Sequence, residues 1–324
     1  MDKILIYRER FLKFLSSKGK YIQFFGRFAG GLLLFYVINN IYGYASVIGE
    51  PFMLLIMGLI CVFVPVSAIY MMFLLVVILQ LLNISIEVSL MYIFIMGLYH
   101  LIYQWMFPKN KVLFLMTPIF YFFHVPAVLP IFLGVFVGLG GLPAILMGTV
   151  NYYLAIIIKN AVTQMDNGTV SGPIYSLILE GTANNKELLL CIVVFMLVTV
   201  VVSGIRKLQT AYGWYVAILA GGVTYLLSMM IGGYFIDSQI NIISQIFMII
   251  FSICIVMIIQ FFYNVIDYTR QETFEFEDEE YYYYVKAIPK ISVEEEDINI
   301  KKITMPARRF YLKKKDNHNE GEKS

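Results

Sequence analysis

Three ionisable side chains stand inside long apolar stretches of this chain: Glu87, His100 and His124. An ionisable group surrounded by hydrocarbon is costly, so each is a candidate for an ion or substrate path. His124 precedes Val125 and Pro126, where a proline break would leave backbone carbonyls beside a titratable imidazole. A structural histidine at the outer interface has the same local sequence. His100 is followed one turn later by Gln104, with Tyr103 close by, which makes a short polar stripe. Glu87 follows Asn83 closely and fits an outer headgroup layer as well as a path. Asn39, Asn40, Asn151 and Gln260 can bond between helices or line a pore. The candidate path residues are thus His124, Pro126, Pro65, Glu87, His100 and Asn151.

Other chemistry is sparse. Gly134, Gly138, Gly140 and Gly141 form an apolar glycine run that allows close helix packing. No lysine, serine or threonine follows in phosphate-loop position, so the run is no nucleotide cradle. Cys61, Cys191 and Cys254 are widely separated within apolar runs, a pattern of packing thiols and not of a disulfide frame. The sequence has no His-Glu-x-x-His, no Gly-x-Ser-x-Gly and no tight carboxylate or histidine cluster, so no cofactor and no metal are expected.

The elements that must position these residues follow from composition. Of the 324 residues 60% are hydrophobic and 14% charged, with a mean hydropathy of +0.76. A soluble domain carries roughly 45–50% apolar and 25% charged residues. Between Phe52 and Ile86, Val112 and Ile158, and Ser238 and Ile266 there is no Asp, Glu, Lys or Arg. The expected fold is an all-α integral membrane protein of about ten transmembrane helices, some short and proline-broken, with a short extended or disordered cytoplasmic tail. The spans read as 28–47, 51–64, 66–82, 86–106, 112–124, 126–140, 143–160, 188–205, 211–231 and 241–266.

Lys and Arg near span ends set the orientation. Basic residues from Lys3 to Arg27, Lys109 with Lys111, Arg206 with Lys207, and Arg308 to Lys315 all fall on one side when ten crossings are counted. Both termini are therefore expected in the cytoplasm, and the protein in a cell membrane of the bacterial cytoplasmic type. Residues 1–27 read as a basic amphipathic segment without a cleavable signal. It could lie on the bilayer or pack on the protein's own cytoplasmic face. Residues 28–267 form the membrane domain and 268–324 a charged tail.

Residues 51–106 and 112–160 share a layout of a short run, a proline break and two further runs, which makes them candidate inverted repeats. Phe52 to Val64 reaches only about 20 Å as a helix, so that run must tilt or end inside the protein. In the tail, Thr273 to Glu277 alternates aromatic and acidic residues ahead of Tyr281, Tyr282, Tyr283 and Tyr284. A two-residue period favours a strand, and residues 268–300 are the expected docking segment for a cytoplasmic or membrane protein partner. A disordered tail whose tyrosines rest on the bilayer has the same composition. The other expected partner is the lipid bilayer, and nothing points to nucleic acid. These readings lead to a transporter or channel-like permease subunit. A membrane scaffold acting through its tail, and a membrane enzyme working on a lipid-linked substrate, are the alternatives.

Overall fold

The computed structural model describes residues 7–8, 10–11, 13–14, 17–104, 107, 110–167, 173–208, 212–236, 241–263, 272–277 and 282–287. Helices make up the apolar region: α1 Gly19–Ile41, α2 Pro51–Phe63, α3 Val66–Leu82, α4 Ile86–Tyr99, α5 Lys111–Phe122, α6 Val128–Phe132, α7 Leu142–Asp166, α8 Ile174–Ala183, α9 Lys186–Lys207, α10 Gly213–Ile236 and α11 Ile242–Tyr263. A π-turn over His100–Gln104 extends α4, and another over Leu133–Val137 extends α6. Six of these helical stretches are long and apolar enough to cross a membrane: Gly19–Ile41, Ile86–Tyr103, Leu139–Asp166, Lys186–Lys207, Gly213–Ile236 and Ile242–Tyr263. Pro51–Phe63, Val66–Leu82, Lys111–Phe122 and Val128–Val137 are shorter.

Local chemistry sets the boundaries. Pro51 occupies the first turn of α2, where its missing N–H costs nothing. Ser85 caps α4 by accepting from the Glu87 amide, and Asn185 caps α9 by accepting from the Leu188 amide. At the other end of α9, Arg206 and Lys207 face the negative pole of the helix dipole. The chain after residue 160, where the seventh expected span ends, stays helical: α7 runs on to Asp166, because no breaker occurs before Asn167-Gly168, and α8 follows.

Contacts between helix ends sort the bundle into two poles. Arg27 Nη1 donates to the Val62 carbonyl, Lys111 Nζ to Ser67 Oγ and Asn110 Nδ2 to the Gly140 carbonyl. Phe136 packs against Trp214 and Tyr263, and the Arg206 guanidinium lies over Trp214. One pole therefore gathers the start of α1, the α2–α3 turn, the end of α4, the start of α5 and the ends of α6, α9 and α11. The N-terminal segment joins it, since Arg8 Nε donates to the Phe261 carbonyl at 2.9 Å and Phe11 packs on Phe262. Every described charged residue of the N-terminal segment and of these helix ends is basic: Arg8, Arg10, Lys13, Lys18, Lys20, Arg27, Lys111, Arg206 and Lys207. The opposite pole holds Glu50, Glu87, Asp166, Glu180 and Glu187 with only Lys159 and Lys186.

Close packing depends on small residues. A Cβ at Gly31 would lie 2.6 Å from the Cys61 Cβ, which draws α1 against α2, and one at Gly134 would lie 2.6 Å from the Val202 Cβ, which seats α6 against α9. A Cβ at Gly141 would collide with the Leu133 side chain, whereas Gly140 has open space. Gly138 has a φ of +85°, so it serves the chain reversal before α7 and not a helix contact. Cys61 and Cys191 are buried packing thiols; Cys254 departs from the expected burial and is exposed on α11. An apolar thiol there suits a lipid-facing surface as well as a core.

The tail contains a hairpin in which β1 Glu272–Glu277 pairs antiparallel with β2 Tyr282–Ala287, Glu275 opposite Tyr284. Tyr281 and residues 288–324 lie outside the described residues. Gly134→Val should lower the melting temperature in detergent through overpacking worth about 1–3 kcal/mol. Gly140→Ala should leave it within error, and equal effects of the two would contradict the packing role given to Gly134.

Candidate functional site

One group of interior polar residues follows a line between α1, α3, α4, α5 and α7, while Thr199 and Ser203 on α9 and Ser252 and Gln260 on α11 are buried elsewhere in the bundle. Nearest the acidic pole, the fully buried Gln80 on α3 bridges two neighbours: its Nε2 donates to Asn39 Oδ1 on α1 at 3.1 Å, and its Oε1 accepts the Ala45 amide at 2.7 Å. That amide belongs to the irregular stretch after α1, so Gln80 replaces a backbone partner that the broken helix lacks.

Deeper in the bundle, Asn151 on α7 is 1% exposed and joins three elements. Its Oδ1 accepts from the Tyr92 hydroxyl of α4 at 2.8 Å and from the Tyr42 hydroxyl at the end of α1 at 3.1 Å. The Tyr42 hydrogen is shared with the Asn151 carbonyl at 3.2 Å. Asn151 alone among the expected path residues lies in a buried interhelical hydrogen-bond cluster. Tyr42 and Tyr92 complete it, Gln80 forms a separate bridge to Asn39 and Ala45, and only their occurrence within apolar runs marks these residues in the sequence.

Toward the basic pole the line continues with Tyr70 on α3. Its ring is fully buried, its hydroxyl has no hydrogen-bond partner, and that hydroxyl lies within electrostatic range of Tyr92. His100 stacks on the Tyr70 ring at 5.7 Å, and its Nδ1 is buried without a partner. Lys111, at the first position of α5, is 8% exposed, with Nζ 3.2 Å from Ser67 Oγ and 5.9 Å from the Tyr70 ring centroid. No carboxylate is among its described partners. Lys111 enters the sequence reading as an orientation marker; its burial depends on α3 and α4 closing over it.

The remaining expected path residues lie elsewhere. His124 is exposed at the tip of the α5–α6 hairpin with φ +57°. The Val125 amide bonds to the Phe120 carbonyl at 2.9 Å and the His124 amide to the Tyr121 carbonyl at 3.0 Å. That pair of bonds is a Schellman cap, with His124 at the left-handed position usually given to glycine. Pro126 follows in the turn and is partly buried. Below the tip, Tyr121 packs on Phe195, whereas α9 begins at Lys186, nine residues or about 13 Å further along. The hairpin thus stops short of the acidic pole. Pro65 is exposed at the basic pole between α2 and α3, and Glu87 is exposed in the first turn of α4. Gln104's side chain lies outside the described residues, while Tyr103 donates to the Gly140 carbonyl.

A separate recess of about 360 Å³ opens at the acidic pole between α7 and α8, lined by Asn160, Gln164, Glu180, Asn184 and Asn185. Among the described residues no group of three or more His, Cys, Asp or Glu could hold a metal ion. The fold and its apolar surface place the chain among multi-pass α-helical membrane proteins. Comparison with protein-family models, curated proteins and solved structures gives no match.

Asn151→Leu leaves the Tyr42 and Tyr92 hydroxyls without their common acceptor. At about 0.6 kcal/mol per interhelical bond, with a maximum near 1.7, it should cost about 1–2 kcal/mol, more than Tyr92→Phe. Thermal unfolding in detergent measures both, and an Asn151→Leu protein as stable as the parent would contradict the bridging role.

Proposed function

We propose that the chain is a transporter or channel-like permease subunit of a cell membrane, crossing it ten times with both termini in the cytoplasm. The observation that carries this reading is the polar line itself. Gln80, Asn151, Tyr92, Tyr70, His100 and Lys111 follow one another from the acidic to the basic pole inside a bundle whose outward surface is apolar. A protein that only needed to stand in a bilayer would gain more from apolar packing than from a Tyr70 hydroxyl and a His100 Nδ1 buried along this line with no hydrogen-bond partner among the described residues.

The crossing number rests on the alternation of helix ends between the poles, which gives α1 to α7 and α9 to α11 one crossing each. In this reading the α5–α6 hairpin counts as two crossings. If it enters and leaves from the basic side instead, the side of every other segment stays the same. The basic pole is assigned to the cytoplasm by its excess of Lys and Arg. The path would run along the helices on either side of the candidate repeats' junction, and not through the proline turns at Pro65 and Pro126.

Single cysteines in a cysteine-free background test both parts. One at Gly168 should react with an impermeant thiol reagent in intact cells, and one at Asn110 should not. Cysteines at Tyr92 and Asn151, buried in the structure, should become slowly reactive as the protein cycles between open states. Complete protection of both in membranes accessible from either side would sink the path.

The β1–β2 pairing supports a second reading, a scaffold that binds partners through its tail. A two-stranded hairpin is marginal by itself in water, and among the described residues no third strand pairs with either outer edge of this one. A chain ending at Asp267 should then insert normally and lose cytoplasmic partners in affinity purification. An unchanged partner set would exclude the tail.

A further inference from the structure

We propose that Lys111, with Ser67 and His100 around the Tyr70 ring, forms a binding site for a phosphate group entering from the basic pole. The starting point is a charge balance. Lys111 is more than nine-tenths buried, and its described partners are one hydroxyl and one aromatic face, neither of which carries the compensating negative charge. A buried cation without a counter-ion is expensive, and a bound anion removes that cost.

The donors select the anion. Among the described residues Lys111 Nζ uses one N–H on Ser67 and keeps two, Ser67 Oγ accepts from it and retains its own O–H, and His100 Nδ1 is buried with no hydrogen-bond partner. His100 and Lys111 both lie against the Tyr70 ring, 5.7 Å and 5.9 Å from its centroid. Lys111 also begins a 12-residue helix with no acid in its first turn. The N-cap residue Asn110 does not cap that helix, because its side chain is turned to the Tyr103 hydroxyl at 2.8 Å and the Gly140 carbonyl at 3.1 Å. The helix dipole therefore reinforces the lysine without a protein carboxylate in competition. This many donors suits the three terminal oxygens of a phosphate better than the two of a carboxylate.

The phosphate can belong to a soluble solute or to a lipid headgroup, since Ser67 is exposed at the same pole. The inference deepens the transport reading and rests on it only for the anion's onward route along the polar line.

The test uses the full-length protein in mild detergent with two probes: inorganic phosphate, and a short-chain phosphatidic acid, a phosphomonoester lipid with three terminal oxygens, below its micelle concentration. Saturable binding of at least one is expected, weakened about tenfold or more in Lys111→Met and about threefold in Ser67→Ala, as the loss of one charge-assisted or one neutral hydrogen bond requires. Lys111→Arg should stay within a few-fold of the parent, and Lys159→Met, an exposed cation at the other pole, should match it. Binding of inorganic phosphate assigns a solute, and binding of the lipid alone assigns a headgroup. No binding of either probe, full affinity in Lys111→Met, or displacement by acetate at equal concentration would overturn the site. Should Lys111→Met aggregate, Ser67→Ala decides, and unchanged binding there also overturns it. Because binding is read without flux, a protein that binds phosphate while cysteines at Tyr92 and Asn151 stay protected keeps the site and loses the transport reading.

Discussion

Inside a bilayer no water is present to complete a hydrogen bond, and this constraint shapes each feature of the bundle. Where the chain stays helical, its backbone satisfies itself. Where α1 ends at Ile41 ahead of a short irregular stretch, a side chain must do the work, and Gln80 takes the Ala45 amide. Where α5 ends, the freed carbonyls of Phe120 and Tyr121 are met by the amides of the next turn, which forces His124 into a left-handed conformation. The short helices are tolerated because each of their ends has such a partner or lies at a pole.

The same constraint explains why the tyrosine hydroxyls of α1 and α4 meet an acceptor on α7. One hydroxyl donor inside hydrocarbon calls for an acceptor on another helix, and that helix must then supply a residue at the same depth. Asn151 answers two tyrosines at once, fixing α1, α4 and α7 in rotation and in height. The chain's small residues permit this register: Thr117 packs where a Cβ at Gly148 would lie, which sets α5 against α7, and Gly58 lets Leu32 approach on α1. Hydrogen bonds fix the angular settings, while dispersion between close-packed backbones holds the helices together.

Lys111 is the exception that gives the basic pole its character. The other basic residues described there are exposed or partly exposed, where an anionic leaflet and water share their charge, while Lys111 is folded under α3 and α4. Its neighbours are aromatic: Tyr70 beneath it, with Phe114 and His100 against that ring. Aromatic faces soften the burial of an ammonium group without neutralising it. The pole thus combines a diffuse positive surface with one enclosed positive point, and the proposed anion site follows from that difference.

The sequence alone determined that the chain is apolar and helical, because charge-free runs of this length have no other stable fate, and its proline breaks marked where short helices begin, while the caps at Ser85 and Asn185 emerged only in the structure. It also marked Asn151, His100, Gly134 and Gly141 as residues with a role, since polar and small side chains stand out against an apolar background. It did not separate His124, a turn former at an exposed tip, from His100, which is stacked inside, because an imidazole in an apolar run looks the same in either place. Nor did it single out Lys111, Tyr92 or Gln80. Burial and partnership depend on which helix faces which, at what height and in what rotation, and those follow from packing between segments far apart in sequence: Asn151 lies 59 residues from Tyr92 and 109 from Tyr42.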